Sequence, residues 1–318
     1  MNVQILFHDN CFDGASSAAV FTRFYRERIR SDVTFSYQGL AHKAGGEGIS
    51  PEVFTGDENV IVDFRYSQDP RLSWWFDHHV SAFQVPGDEA HFRADTSGKK
   101  FHDGKRKSCT KYLAEIARDR FGWDAAPMAD LIAWAELIDG AQFPSPEMAV
   151  ALKEPALQVM TVLEANKTPG FIPEVIRRLQ SESLDEIAAS ELVTKPLAPL
   201  LEKHQRAIEV VRQKARYQDD IVFFDLADEG LDSLNKFIAY ALYPEARYVL
   251  WIGRGAQRAK VSVGSNPWKP QTRKHDLAKI AERFGGGGHP VVAAMSFNAD
   301  QVERARAVAK EIYAELTA

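Results

Sequence analysis

Short apolar runs in the first part of the chain each stop at a chemically versatile side chain. VQILFH stops at His8, NVIVDF runs through Val60, Ile61 and Val62 into Asp63, and LSWWFDHH ends in Asp77, His78 and His79. DVTFSYQGL reads as a further strand of the same kind, and GASSAAVFTRFYRERIR, after the first run, has helical spacing. Apolar runs alternating with helices predict a parallel sheet covered on both faces. In open α/β sheets ligands bind at the carboxyl ends of the strands, where these polar residues sit.

Later segments extend the pattern. CTKYLAEIARDRFG and MADLIAWAELIDG read as helices, and residues 147–215 read as mostly helical, with prolines 155, 169, 173, 196 and 199 breaking the segments. LEKHQRAIEVVRQKARY reads as a long connecting helix. Strands return at DIVFFDL, ARYVLWIGRG and AKVSVGS, followed by a helix, HDLAKIAERF, and then GGGGHPVVAAMSF, where VVAAM looks helical. A chain of 318 residues is too long for one ordinary core. The expected division is residues 1–200, a linker helix over 201–218, and a smaller α/β domain over 219–318.

Bulk properties narrow the function. At 45% hydrophobic and 26% charged the composition is that of a soluble globular protein. A net charge of -5 argues against broad attraction to long nucleic acid, duplex included, without excluding a small anionic substrate. No apolar run approaches the roughly 18–20 residues of a membrane helix. The start, MNVQILFHDN, lacks a secretory signal pattern, and two cysteines, Cys11 and Cys109, make no disulfide framework, so a cytoplasmic location is expected.

Each motif has a bland and a sharp reading. FHDNCFDGASSA crowds His8, Asp9, Cys11 and Asp13 into one turn, either as turn and cap chemistry or as an oxygen-rich site for Mn²⁺. Asp63 is a strand-end cap or a ligand, and Asp139, in AELIDGAQF, a helix-end residue or a ligand. Asp77-His78-His79 is a surface accident or a metal ligand beside a phosphate-binding imidazole. Gly285, Gly286, Gly287, Gly288 and His289 form a flexible loop or a backbone cradle for an anion. KKFHDGKRKS reads as a solvated loop that alternatively supplies positive charge.

Taken in order, these motifs resemble those of the DHH/DHHA1 phosphoesterase superfamily. His8 with CFDG is similar to its first motif, Asp63 to the second, Asp77-His78-His79 to the third and Asp139 to the fourth; GGGGHPVVAA is similar to the DHHA1 signature. The resemblance spans His8 to Ala294 and implies an N-terminal parallel-sheet DHH domain with helices on both faces, a helical linker, a smaller C-terminal α/β DHHA1 domain, and an active site in the cleft between the domains. It implies two Mn²⁺ ions, with Mg²⁺ or another divalent cation as the alternative. His8 would hold one, Asp13, His78 and Asp139 the other, and Asp63 would bridge them. His79 would face the substrate phosphate, Asp77 would orient the histidines, and Gly285 to Gly288 with His289 would grip the rest of the substrate.

Two departures stand out. Cys11 occupies a position where many members carry aspartate, which makes it a further candidate ligand. Gly264 stands where some members carry an arginine, and Arg254, Arg258, Lys260 or the KKFHDGKRKS stretch would supply that charge. The expected activity is metal-assisted hydrolysis of phosphodiesters in short oligonucleotides or small nucleotides. The alternatives are a phosphatase acting on a nucleotide monophosphate or polyphosphate, and a non-catalytic nucleotide sensor. The expected partner is thus a small phosphorylated substrate, with no membrane and with a homodimer left open.

Overall fold

A computed structural model describes residues 1–41, 48–231 and 234–318. The chain divides into two compact units, Met1–Gln142 with Lys153–Leu197, and Phe143–Leu152 with Ala198–Ala318.

The first unit is built on a parallel sheet of β1 (Asn2–His8), β2 (Thr34–Leu40), β3 (Glu58–Val62), β4 (Leu72–Asp77) and β5 (Lys100–His102), in the order β2-β1-β3-β4-β5. Around it run α1 (Phe12–Phe24), α2 (Asp88–Arg93), α3 (Cys109–Phe121) and α4 (Ala129–Asp139). Side chains of successive strand residues alternate between the faces. Trp74 and Phe76 meet Phe21 of α1, while Leu6, Ile61 and Trp75 form a second core with Phe92 of α2 packed against it. Both faces of the sheet are therefore covered, as the apolar runs require.

After α4 the chain is helical: α5 (Pro146–Ala151), α6 (Pro155–Ala165), α7 (Phe171–Leu179), α8 (Leu184–Ala189) and α9 (Glu191–Lys214). Pro155 begins α6 and Pro173 lies in the first turn of α7, where their missing N–H groups cost no hydrogen bond. Pro196 and Pro199 do not break the chain as expected from the sequence. Both lie inside α9, and the division between the two units falls between them, at Leu197 and Ala198.

The second unit carries β6 (Arg216–Gln218), β7 (Ile221–Asp225), α10 (Ile238–Leu242), β8 (Tyr248–Arg254), β9 (Arg258–Ser265), α11 (Leu277–Glu282), β10 (Gly287–His289), β11 (Val292–Asn298) and α12 (Val302–Thr317). Its sheet, in the order β10-β11-β9-β8-β7-β6, is mixed, with β7 and β8 parallel. Ala305, Val308, Ala309 and Ile312 of α12 are buried against it at helical spacing.

Two expectations about the glycine signature are corrected. VVAAM is not helical: Val292 to Met295 belong to β11, where Ala293 and Met295 alternate inward with a period of two. The short side chains concealed that alternation, and pairing with β9 decides it. The glycine run is not a loop throughout, because Gly287 to His289 pair with β11. Gly288 sits at φ 150°, and a Cβ there would lie 2.4 Å from the Val292 carbonyl oxygen, so close strand approach accounts for this glycine without a ligand.

Candidate metal centre

The polar residues at the strand ends of the first unit converge. Chain geometry brings the first of them in. β1 delivers His8, the chain turns through Asn10 at φ 51°, and α1 begins so tightly that a Cβ on Gly14 would lie 2.3 Å from the His8 carbonyl oxygen. Glycine is required there, and Asp13 is thereby carried into the interior in the first turn of α1. Its carboxylate accepts from the Ser108 hydroxyl at 2.8 Å and from the backbone N–H groups of Cys109 at 2.7 Å and Thr110 at 3.1 Å, at the start of α3.

Asp63 follows β3 in the left-handed region, at φ 58°, with its N–H donating to the Phe76 carbonyl at 2.9 Å. That conformation aims its carboxylate between the histidines. Oδ2 lies 3.3 Å from His8 Nδ1, and Oδ1 lies 3.3 Å from His78 Nε2 and 3.9 Å from His79 Nδ1. His78 Nε2 is also 3.3 Å from Asp139 Oδ2, at the end of α4, and 3.7 Å from Asp13 Oδ2.

Asp77 is the organiser of the triplet. Its Oδ1 accepts from the N–H groups of His78 at 2.8 Å and His79 at 3.3 Å, and it meets His79 Nδ1 at 2.7 Å. The triplet leaves β4 after Asp77, so the two imidazoles escape strand alternation and their ring centroids lie 4.6 Å apart. The Arg106 carbonyl oxygen lies 3.2 Å from His78 Nδ1, which turns Nε2 toward the three carboxylates.

Three groups of side chains each bring ligand atoms within 4.8 Å of one another: His8, Cys11 and Asp63; Asp63, His78 and His79; Asp13, His78 and Asp139. Both oxygens of Asp63 and Nε2 of His78 are buried and lack a hydrogen bond, their mutual approach at 3.3 Å being a charge contact without hydrogen-bond alignment. Burial pushes the Asp13 carboxyl up to about 8, with Asp63 and Asp139 adding to the rise against the His78 imidazole and Thr110. Burial opposes charge on His78, yet Asp63, Asp13 and Asp139 outweigh it and raise the imidazole to about 10. Burial also works against the Asp63 carboxylate, but His78, His8 and His79 hold it well below the usual range. Burial, then Asp63, Asp13 and Asp139, push the Cys11 thiol well above its ordinary value. A buried carboxylate short of donors, crowded by those of Asp13 and Asp139, matches a divalent cation, whose charge would satisfy all three at once.

Sequence reasoning missed the supports. KKFHDGKRKS is not a plain solvated loop: Lys100 to His102 form the edge strand β5, His102 Nε2 meets the His79 carbonyl at 2.9 Å, and the Arg106 carbonyl holds His78. The Arg106 guanidinium itself is taken up by Asp103 and Glu115. In the second unit, Gly264 pairs with Val292, whereas Arg258 pairs with Asn298, six residues along β9. Strand rise puts Arg258 roughly 20 Å from Gly264. Lys260 and Arg254 lie toward the same far end, opposite Ser296 and Ala259, so none of the three supplies a charge at Gly264. His289 and Gly287 lie exposed on β10.

No family model and no curated protein matches the chain. Solved structures do match, and their likeness shows that it has the fold of the DHH/DHHA1 phosphoesterases. A pGpG-specific phosphodiesterase from Vibrio cholerae, PggH, aligns over 99% of both chains at 17% identity with a TM-score of 0.66. The DHH domain of a member of the s1p family of ribosomal proteins aligns over 100% of this chain and 87% of its own, at 15% identity and TM-score 0.61. RecJ from Thermus thermophilus, in complex with Mn²⁺, aligns at 15% identity and TM-score 0.54, over 99% of this chain and 52% of its own.

Proposed function

We propose that the chain is a metal-dependent phosphoesterase that hydrolyses phosphodiester bonds in short oligonucleotides or small nucleotides. The observation that carries this reading is Asp63, a buried carboxylate with neither oxygen hydrogen-bonded, set between His8 and His78. His8, Cys11 and Asp63 would hold one divalent cation, Mn²⁺ or Mg²⁺, and Asp13, His78 and Asp139 a second, with Asp63 serving both. Such cations supply an activated water and charge stabilisation for the phosphoryl oxygens.

The chain's own groups do the rest. Asp77 fixes the tautomer and direction of His79, whose imidazole is raised because Asp77 and Asp63 outweigh the effect of burial. With Nδ1 engaged by Asp77, the protonated form of His79 would donate through Nε2 to a phosphate oxygen of the substrate. Ser108 and the N–H groups of Cys109 and Thr110 lock Asp13 in place before any ion arrives, which removes reorganisation from the binding step. The fold shared with a pGpG-specific phosphodiesterase and with Mn²⁺-bound RecJ supports a nucleotide substrate.

The test is turnover of dinucleotides, longer single strands, nucleotide monophosphates and polyphosphate with Mn²⁺ supplied. Release of mononucleotides from dinucleotides is expected. Nucleotide binding without product on any member of the panel would make the protein a sensor and end the enzymatic reading.

A further inference from the structure

Within the second unit, α5, α9 and α10 enclose an open groove of about 600 Å³, lined by Val150, Leu201, Ile208, Ile238, Ala241 and Leu242. Its walls are tied together. His204 Nε2 donates to the Val150 carbonyl at 2.7 Å, which fixes α9 to α5. Asn235 Nδ2 donates to the Ala149 carbonyl at 2.9 Å, which fixes the approach to α10 against α5. On α9, Ala207 and Val211 are buried, at 3% and 0% exposure. Leu201 and Ile208 form a second apolar row beside them, and the open side of the groove leaves this row half-buried.

The charges along the groove have a direction. Helical spacing sets Leu201, Gln205, Ile208 and Arg212 in one line along α9, with Glu202 on its flank. At one end Glu202, with Glu147 of α5 also on the rim, makes no ion pair or hydrogen bond among the described residues. At the other end Arg212 donates through Nη1 to Glu209 Oε1, which also accepts from Gln205 Nε2 at 3.1 Å. A guanidinium has five donors, so that bond leaves Arg212 able to meet a second carboxylate. The line therefore runs from a carboxylate, through an uncharged amide, to a guanidinium. In an isologous pair a surface meets its own copy reversed, and a line of this order complements itself.

We propose that this groove is the contact between two copies of this chain. A two-fold axis between Gln205 and Ile208 sets two α9 helices antiparallel, brings their apolar rows together and places Glu202 opposite the partner's Arg212. From residue 202 to residue 212 a helix rises about 15 Å, so one charge pair closes each end of the contact. The apolar rows drive association, and the charge pairs fix its register. A basic helix of another protein would satisfy Glu147 and Glu202 but leave Arg212 without a role. The inference uses no residue of the metal centre and stands apart from the phosphoesterase reading.

Sedimentation velocity of the full chain over about 1 to 100 µM reads the dimer Kd. The wild type is expected to dimerise within that range. Ile208→Glu, Glu202→Arg and Arg212→Glu are each expected to raise Kd at least about tenfold. The double variant Glu202→Arg/Arg212→Glu is expected to return Kd to within about threefold of the wild type, because the reversed charges meet again. Thermal melting checks folding, and should Ile208→Glu melt early, the reversals at the exposed Glu202 and Arg212 carry the decision. A wild type that stays monomeric throughout overturns the proposal. So does a dimer whose Kd is unmoved by the single reversals, or a double variant as weak as either of them.

Discussion

Asp63 sits at φ 58°, a region that costs a non-glycine residue about 1 kcal/mol or more. Neither carboxylate oxygen recovers that cost through a hydrogen bond. The His78, His8 and His79 imidazoles favour its charged form, and a divalent cation among them would satisfy both oxygens. Asp63→Asn keeps the shape and tolerates the same backbone. In EDTA it is expected to fold with a somewhat lowered melting temperature, because the imidazoles lose the charge they favour. It should lose the melting-temperature rise that Mn²⁺ gives the wild type, together with more than about a hundredfold of turnover. A normal Mn²⁺ response in this variant would remove Asp63 from the centre.

Cys11 poses a separate question at the same scale. Burial first, and then the ion-free cluster of Asp63, Asp13 and Asp139, raise its thiol pKa. A bound cation inverts that balance and deprotonates a coordinating thiol outright. Loading with Co²⁺ is therefore expected to give a thiolate-to-metal absorption band in the near ultraviolet that Cys11→Ser abolishes. A Co²⁺-loaded wild type without the band would show that sulfur is not a ligand.

At the scale of elements, the site depends on where α3 starts. Ser108 caps that helix by accepting from Lys111 N–H and also donates to Asp13. Ser108→Ala should cost about 1 kcal/mol of stability from the lost cap. Loosening Asp13 should also weaken metal affinity by about tenfold to a hundredfold. Denaturant unfolding and metal titration read the two effects separately, and loss of the cap energy with unchanged affinity would deny Asp13 its part. The sequence made the candidate ligands legible and left their supports hidden. His8, Asp63 and the triplet are side chains of distinctive chemistry at the ends of recognisable strands. The Arg106 carbonyl and the N–H groups of Cys109 and Thr110 act through main-chain atoms that every residue type carries, so nothing in the letters marks them. β5 spans Lys100–His102, too short for an alternation signal, and β11 was hidden by its alanines. Pro196 and Pro199 violate a local rule within α9, and only the folded chain reveals it.

At the scale of the whole chain, charge separates small substrates from long ones. A net charge of -5 supplies no overall attraction for a long polyanion. A site that engages one or two phosphates releases few counterions. The logarithm of kcat/KM for a dinucleotide is expected to fall with the logarithm of salt concentration at a slope shallower than about -2. A much steeper slope, increasing with strand length, would reveal an extended nucleic-acid track. The acidic balance also means that the ion-free centre adds local repulsion to an already negative chain.

On the proposed function, Asp63 gathers a pair of divalent cations. Anomalous diffraction at the manganese edge from crystals soaked in Mn²⁺ tests it most directly. Two peaks are expected within bonding distance of Asp63, one also beside His8 and the other beside His78, Asp13 and Asp139. An Asp63 carboxylate with no peak beside it in Mn²⁺-saturated crystals would contradict the account.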